Sequence, residues 1–191
     1  MCIKVSLEVL ETKRTFIRPI SEEDVGPFFM YKSNRNANKH QGWTPVTIED
    51  AQAFIAKNPK ELNTPNTWFQ LVIIEKTTNT LIGDIGVHFL EEDNPQCELG
   101  YTIAPKYQSQ GFATEAVREV IDYLFTFLHK HRITASIDPE NTSSIKLIEK
   151  LSFRLEGHFK KSLHINGVWV DDLVYSILRA EWSRNKINTS S

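Results

Sequence analysis

A strand, a small-residue turn and a long amphipathic helix follow one another without a break between Glu98 and Leu128. This succession restricts the fold more than any other stretch of the chain. Glu98-Leu-Gly-Tyr-Thr-Ile-Ala-Pro105 reads as the strand, and Tyr107 to Val117, Tyr-Gln-Ser-Gln-Gly-Phe-Ala-Thr-Glu-Ala-Val, opens the helix. Ala113, Ala116, Val117, Val120, Ile121, Leu124, Phe125 and Leu128 fall on one face of a 3.6-residue period; Glu115, Arg118, Glu119 and Asp122 occupy the other. Gln108, Gly111 and Ala113 make a Gln-x-x-Gly-x-Ala pattern in the turn. Such a turn aims several backbone N–H groups, and the positive end of the helix dipole, at one place that suits a phosphate or pyrophosphate. Gly111 has no Cβ to obstruct a ligand. From spacing alone, a plain strand–turn–helix with a convenient glycine fits equally well.

The remainder of the chain divides into further elements. Thr15-Phe-Ile-Arg18 reads as a first strand, and Ser21 caps a helix running to about Lys32. Thr47 caps a second helix over 48–57, with Asp50 at the reciprocal capping-box position. Residues 34–45 and 58–66 are polar or proline-containing loops. Residues 68–75 and 81–89 form a hairpin around Thr77-Thr-Asn79. Strands over 96–104 and 132–137, a helix over 142–151, and a last strand pair over 153–161 and 168–178 complete the pattern, with a turn at Asn166-Gly167. Strands gathered around a central strand–helix unit argue an α/β fold with a mixed sheet.

Composition narrows the class. A chain of 191 residues fits one domain. Net charge of −2 offers no electrostatic reason to bind nucleic acid or an anionic membrane. Cys2 and Cys97 are too far apart, and from any histidine spacing, to suggest zinc or a disulfide framework. Histidines 40, 88, 129, 131, 158 and 164 lack ligand spacing, so no metal is expected. No apolar run approaches the ~20 residues of a membrane span, and no signal-peptide core is present, which makes the cytoplasm the default location. A monomer or homodimer is the expected state.

Gln108-Ser-Gln-Gly-Phe-Ala113 resembles the acetyl-CoA pyrophosphate loop of the GNAT superfamily of N-acetyltransferases. Glu98-Leu-Gly-Tyr-Thr-Ile, Asn141-Thr-Ser-Ser144 with Leu147 and Glu149-Lys-Leu-Ser-Phe153, and Thr12-Lys-Arg-Thr-Phe-Ile-Arg-Pro19 with Asp24 are similar to segments of the branch that acetylates ribosomal-protein N-termini. Glu156-Gly157, Asn166-Gly167, Asp171, Tyr175-Ser176 and Glu181-Trp182 resemble that branch's C-terminal signature. The likeness covers about residues 12–182. It implies a single GNAT-like domain of α/β (α+β) class. Its mostly antiparallel mixed sheet would be splayed between the fourth and fifth strands, with helices on both faces.

The resemblance also implies a site. The backbone of Thr102, Ile103 and Ala104 would hold the pantetheine arm, with an amide, that of Ile103, facing the thioester oxygen. Gln108, Ser109, Gln110, Gly111, Phe112, Ala113 and Thr114 would hold the pyrophosphate, and Asn141 would contact the cofactor. An alkylammonium with a pKa near ~10 is protonated at neutral pH, so attack requires a base. Glu98, at the start of the strand beside the thioester, is the first candidate; Asp171 is the runner-up, or would instead orient the acceptor amine. Ser144 is the candidate donor to the thiolate, because Ile148 stands where many relatives have a tyrosine. For Asn141 and Ser144, helix capping is the competing role. Trp43, in the irregular N-terminal loop, either covers the acceptor or packs in the core. Ser152 replaces the usual glycine before Phe153, at a position that implies left-handed backbone. The partners implied are acetyl-CoA and a primary amine: a protein N-terminus, or a small amine such as a polyamine, aminoglycoside or amino-acid derivative. A non-catalytic CoA-binding sensor is the reading from a different class.

Overall fold

The computed structural model describes residue 7 and residues 9–92, 94–165 and 167–183; Cys2 and Asn166 lie outside these. The described strands form one eight-stranded sheet in the order β1-β2-β3-β4-β5-β6-β8-β7. They are β1 (Leu10–Glu11), β2 (Thr15–Pro19), β3 (Thr67–Glu75), β4 (Thr80–Phe89), β5 (Gln96–Ile103), β6 (Arg132–Ile137), β7 (Arg154–Ile165) and β8 (Val168–Leu178). β3 and β4 are buried along almost their whole length. Both their faces are covered by helices, which is why they read as continuous apolar runs rather than as alternation.

All neighbouring strands are antiparallel except β5 and β6. These two pair over only three positions, Gln96 with Arg132, Cys97 with Ile133 and Glu98 with Thr134. Beyond Glu98, β5 continues beside β4 to Ile103, while β6 continues beside β8 to Ile137. The sheet therefore forks, between the two strands where the splay was expected. They are fifth and sixth here because the short β1 was not anticipated.

Helices α1 (Val25–Lys32) and α2 (Ile48–Ala56) cover one face; α3 (Phe112–Thr126) and α4 (Thr142–Lys150) cover the other. A 3-10 turn, Glu22–Asp24, precedes α1 where a single helix was expected. Pro27 then falls in the first turn of α1, where an N–H has no partner to lose. Thr47 and Asp50 form the expected capping box on α2. Ala116, Val117, Val120, Ile121, Leu124 and Phe125 are buried as the periodicity predicts, but α3 stops at Thr126, so Leu128 packs on the core from outside the helix. β7 runs four residues further than expected, with irregular pairing between Leu155 and Gly157 and between Phe159 and Leu163.

A buried ion pair ties α1 to the sheet. Lys32 Nζ lies 3.0 and 3.1 Å from the two Asp84 oxygens and donates to Thr102 Oγ1 at 2.8 Å. Gln70 Nε2 and the Tyr31 hydroxyl also donate to Asp84. Burial, then the Asp84 charge, raises the Tyr31 pKa, which keeps that hydroxyl a donor.

Candidate active site

The turn after β5 reaches α3 through two left-handed residues, Ser109 (φ 58°) and Gly111 (φ 84°). Gly111 is the helix N-cap, and no side chain caps the N-terminus. The first helical bond runs from Glu115 N–H to Gly111 O at 3.1 Å. The N–H groups of Phe112, Ala113 and Thr114 thus lack helical partners and are free for an anion. Side chains brace this turn from behind. Gln108 Nε2 donates to Ile103 O at 2.9 Å and Gln110 Nε2 to Lys106 O at 2.8 Å. Arg14 donates to Gln110 O at 3.0 Å, pairs with Glu115 at 2.8 Å and lies 4.2 Å above the Phe112 ring.

A cavity of about 710 Å³ opens in front of the turn. Thr102, Ile103, Gln108, Ser109 and residues 111–114 form one wall, and Asn141 and Ser144 belong to the opposite one. Gln110 is outside the wall, acting instead as a brace. Lys39, Lys146 and Lys150 against Glu140 make the charged lining mainly positive. Asn38, also in the wall, is buried, and its Oδ1 has no hydrogen-bond partner among the described residues. A positive cavity with unpaired helix amides fits the phosphates of acetyl-CoA.

The backbone of β5 corrects one expectation. Ala104 donates its N–H to Ile82 O at 2.8 Å, and its carbonyl accepts from Tyr107 N–H at 2.8 Å. Antiparallel partners alternate between bonded and non-bonded pairs. With Ala104 bonded to β4, Thr102, opposite Asp84, also points its backbone at β4. Ile103, opposite Gly83, and Tyr101, opposite Ile85, turn theirs to the fork. Ile103 and Tyr101 are therefore the residues whose backbone faces the gap, and Ala104 and Thr102 are not. Thr102 remains in the cavity wall, and Ala104 is buried outside it.

A second cavity of about 200 Å³ lies deeper in the fork. Glu98 stands in it, on the last rung that β5 shares with β6. Burial, followed by the nearby Asp172 charge, raises its carboxyl pKa above the usual range. Glu98 has no hydrogen-bond or ion-pair partner among the described residues. Asp171 lines the same cavity but is already engaged, by Lys160 Nζ at 2.9 Å, Lys161 N–H at 3.0 Å and His158 Nε2 at 2.8 Å. Lys160 above all holds its pKa well below the usual carboxylate range. Asn141 caps α4 by accepting from Ser144 N–H at 3.2 Å. Ile148 is fully buried and reaches neither cavity. Trp43 stacks on Phe54 at 4.7 Å and is outside both walls, although Gln41 and Gly42 before it line the small cavity.

Trp68, Tyr101 and His40 are among the lining residues that the sequence reading did not assign to the site. Trp68 lies over Gly86, where a Cβ would meet its ring at 3.1 Å, and Gly86 pairs with Gly100. An aromatic opposed by glycines on the neighbouring strands was visible in sequence, but only the register aligns them. Tyr101 lines both cavities and donates to Ser144 O at 3.2 Å; burial pushes its pKa up to about 12. His40 also lines both and meets Asp138, 98 residues away, at 2.7 Å. Nothing local in the sequence announces that pair.

Comparison with known proteins agrees with this geometry. Residues 14–154 match the model of the acetyltransferase (GNAT) domain. The uncharacterized N-acetyltransferase p20 of Bacillus licheniformis is 33% identical over 177 residues, spanning 93% of this chain and 99% of that protein. A spermidine N(1)-acetyltransferase of Vibrio cholerae is 30% identical over 154 residues, 81% of this chain and 88% of that one. The crystal structure of ribosomal-protein-S5-alanine acetyltransferase from Vibrio fischeri superposes with a TM-score of 0.73 at 26% identity, covering 92% of this chain and 99% of its own. Forked sheet, anion-binding turn and sequence likeness over most of the chain have one explanation: the protein belongs to the GNAT family of acetyl-CoA-dependent N-acetyltransferases.

Proposed function

We propose that the acceptor is the terminal α-amine of a peptide or protein, with Glu98 as the base that takes its ammonium proton. The observation that carries this reading is the small cavity's single unengaged carboxylate. Glu98 is free, whereas Asp171 is bonded to Lys160 and Asp138 to His40. Among the side chains around it are the apolar Trp68, Leu163, Ile165 and Val170, beside the polar Asn141 and Ser144. One cation beside a compact apolar group suits this lining, as in an N-terminal alanine. A polyamine would bring a second and third charge to carboxylates that already have partners.

In this reading the acetyl group sits where the two cavities meet, bounded by Tyr101, Asn141 and Ser144. The Ile103 N–H, facing the fork, would receive the developing oxyanion. The Ser144 hydroxyl would donate a hydrogen bond to the departing sulfur. Asp171, with Lys160 and His158, would shape the entrance from the β7–β8 hairpin. A second reading, a small polycationic acceptor, has in its favour that three carboxylates line the cavity, one of them half-covered by an exposed Lys160.

Thiol release from acetyl-CoA separates the two. The acceptors would be short peptides beginning with Ala or Ser, spermidine, an aminoglycoside and free amino acids. The peptides are expected to be turned over at least tenfold faster, in kcat/KM, than spermidine. Preference for spermidine would overturn the N-terminal reading and establish the polyamine one.

A further inference from the structure

The departing thiolate needs a proton, and the hydroxyls of Tyr101 and Ser144 beside it are weak acids. Acetyl transfer ends with a thiolate, whose conjugate thiol has a pKa near ~8.5 in a simple model. Ile148 carries no proton and is buried. Tyr101, at about 12, is a much weaker acid than a thiol, and the Ser144 hydroxyl is weaker still. Either can hydrogen-bond to the sulfur, but each is a less favourable proton source than an imidazolium. An imidazolium is a stronger acid than a thiol, so its proton passes to a thiolate downhill.

His40 is placed for this. Its loop is anchored by Asn38, whose amide donates to the carbonyls of Tyr31 (2.9 Å), Lys32 (3.2 Å) and Asn34 (3.0 Å) at the end of α1. Gln41 N–H then closes a turn onto Asn38 O at 2.9 Å. Across the fork, Asp138 follows β6 and divides its oxygens: Oδ1 accepts from Glu140 N–H at 2.8 Å and Oδ2 lies 2.7 Å from His40 Nδ1. The imidazole is largely covered, with 16% of its side chain exposed. Its Nε2 has no partner among the described residues. A carboxylate that fixes one ring nitrogen leaves the other as the working base and steadies the imidazolium once formed.

We propose that His40, oriented by Asp138, carries the proton from the attacking nitrogen to the departing CoA sulfur. The inference rests on the acetyl-transfer chemistry of the preceding section, and it is indifferent to which amine is the acceptor. As the C–N bond forms, the nitrogen's surplus proton moves to Nε2. As the C–S bond breaks, its electron pair stays on sulfur and the Nε2 proton follows it. Amide and thiol leave, and the imidazole returns neutral. Glu98 acts earlier, on the ammonium; Asp138 is a positioning residue.

Two measurements test this. In spectra of 15N-histidine-labelled protein, saturating CoA is expected to move the His40 ring signals; unmoved signals would overturn the proposal. With the best acceptor of the panel, His40→Ala should lower kcat by about 10²-fold or more while acetyl-CoA binds within about twofold of wild type. Added imidazoles should restore turnover, more so the stronger the base. His40→Gln, which keeps the side chain's bulk, should lose the same activity if the alanine variant is unstable. Asp138→Asn should lower kcat about tenfold with KM unchanged. Full kcat in both His40 variants would sink the idea. If the wild type acetylates no amine tested yet CoA moves the His40 signals, the acceptor reading falls and the imidazole's place at the sulfur stands.

Discussion

Glu98 stands on the last rung before β5 and β6 part. There a carboxylate is buried enough for its pKa to rise, yet has no partner to hold it ionised. A base must be deprotonated to work, so activity should fall as pH drops through this raised pKa. Glu98→Gln should lower kcat/KM by about 10²-fold at neutral pH. The deficit should shrink as pH climbs past the ~8 at which a peptide amine loses its own proton. A deficit constant from pH 6.5 to 9.5, followed by thiol release, would remove Glu98 as the base. Glu98 was singled out as the candidate base because a strand start and a family pattern coincide on it. His40 was not, since its partner is 98 residues away. Ala104 was misassigned because the direction of a strand amide depends on register, and one residue of shift exchanges the two sets.

The elements show why a helix terminus can be read locally while a strand cannot. α4 ends with Ser152 at φ 66°, Ser152 N–H bonded to Glu149 O at 2.8 Å and Phe153 N–H to Ile148 O at 3.1 Å. This is the left-handed closure in which glycine is preferred, and Phe153 and Ile148 pack together in the core. The sequence reading anticipated it from the glycine that the resembling motif has at the position of Ser152. Ser152→Gly should relieve side-chain strain, partly offset by greater freedom in the unfolded chain. A net gain of about 0.5–1 kcal/mol is expected, seen as a rise in Tm of roughly 1–3 °C. A fall in Tm by calorimetry would mean that the hydroxyl matters more than the backbone. The turn before α3 follows the same local logic at Gly111. Its two glutamines, however, proved to be braces, a distinction that spacing alone cannot draw.

At the scale of the molecule, the sheet separates two apolar clusters, and Lys32 with Asp84 joins α1 to β4 beneath the one that contains Phe28 and Ile55. Both charges are almost wholly buried, at 5% and 3% exposure. Removing one leaves the other without compensation, which typically costs about 3–5 kcal/mol. Lys32→Met should therefore lower the urea midpoint by an amount equivalent to that range, and α1 should loosen with the loop that carries His40. A loss under about 1 kcal/mol would show that Asp84 is satisfied by Gln70 and Tyr31 without the lysine.

Charge is also organised at this scale. Lysines line the wide cavity and carboxylates the narrow one, although the chain as a whole is close to neutral. Sequence by itself determined what depends on neighbours along the chain: the helix periodicities, their caps, the left-handed turns, and the strand–turn–helix whose first helical amides lack helical partners. Those features arise from interactions spanning a few residues, so a short window contains their cause. The fork after Glu98, the amide direction of Ile103, the glycine floor under Trp68 and the meeting of His40 with Asp138 were decided only by tertiary structure. Each depends on which strands pair and in what register, and that is set by packing two cores against one twisted sheet.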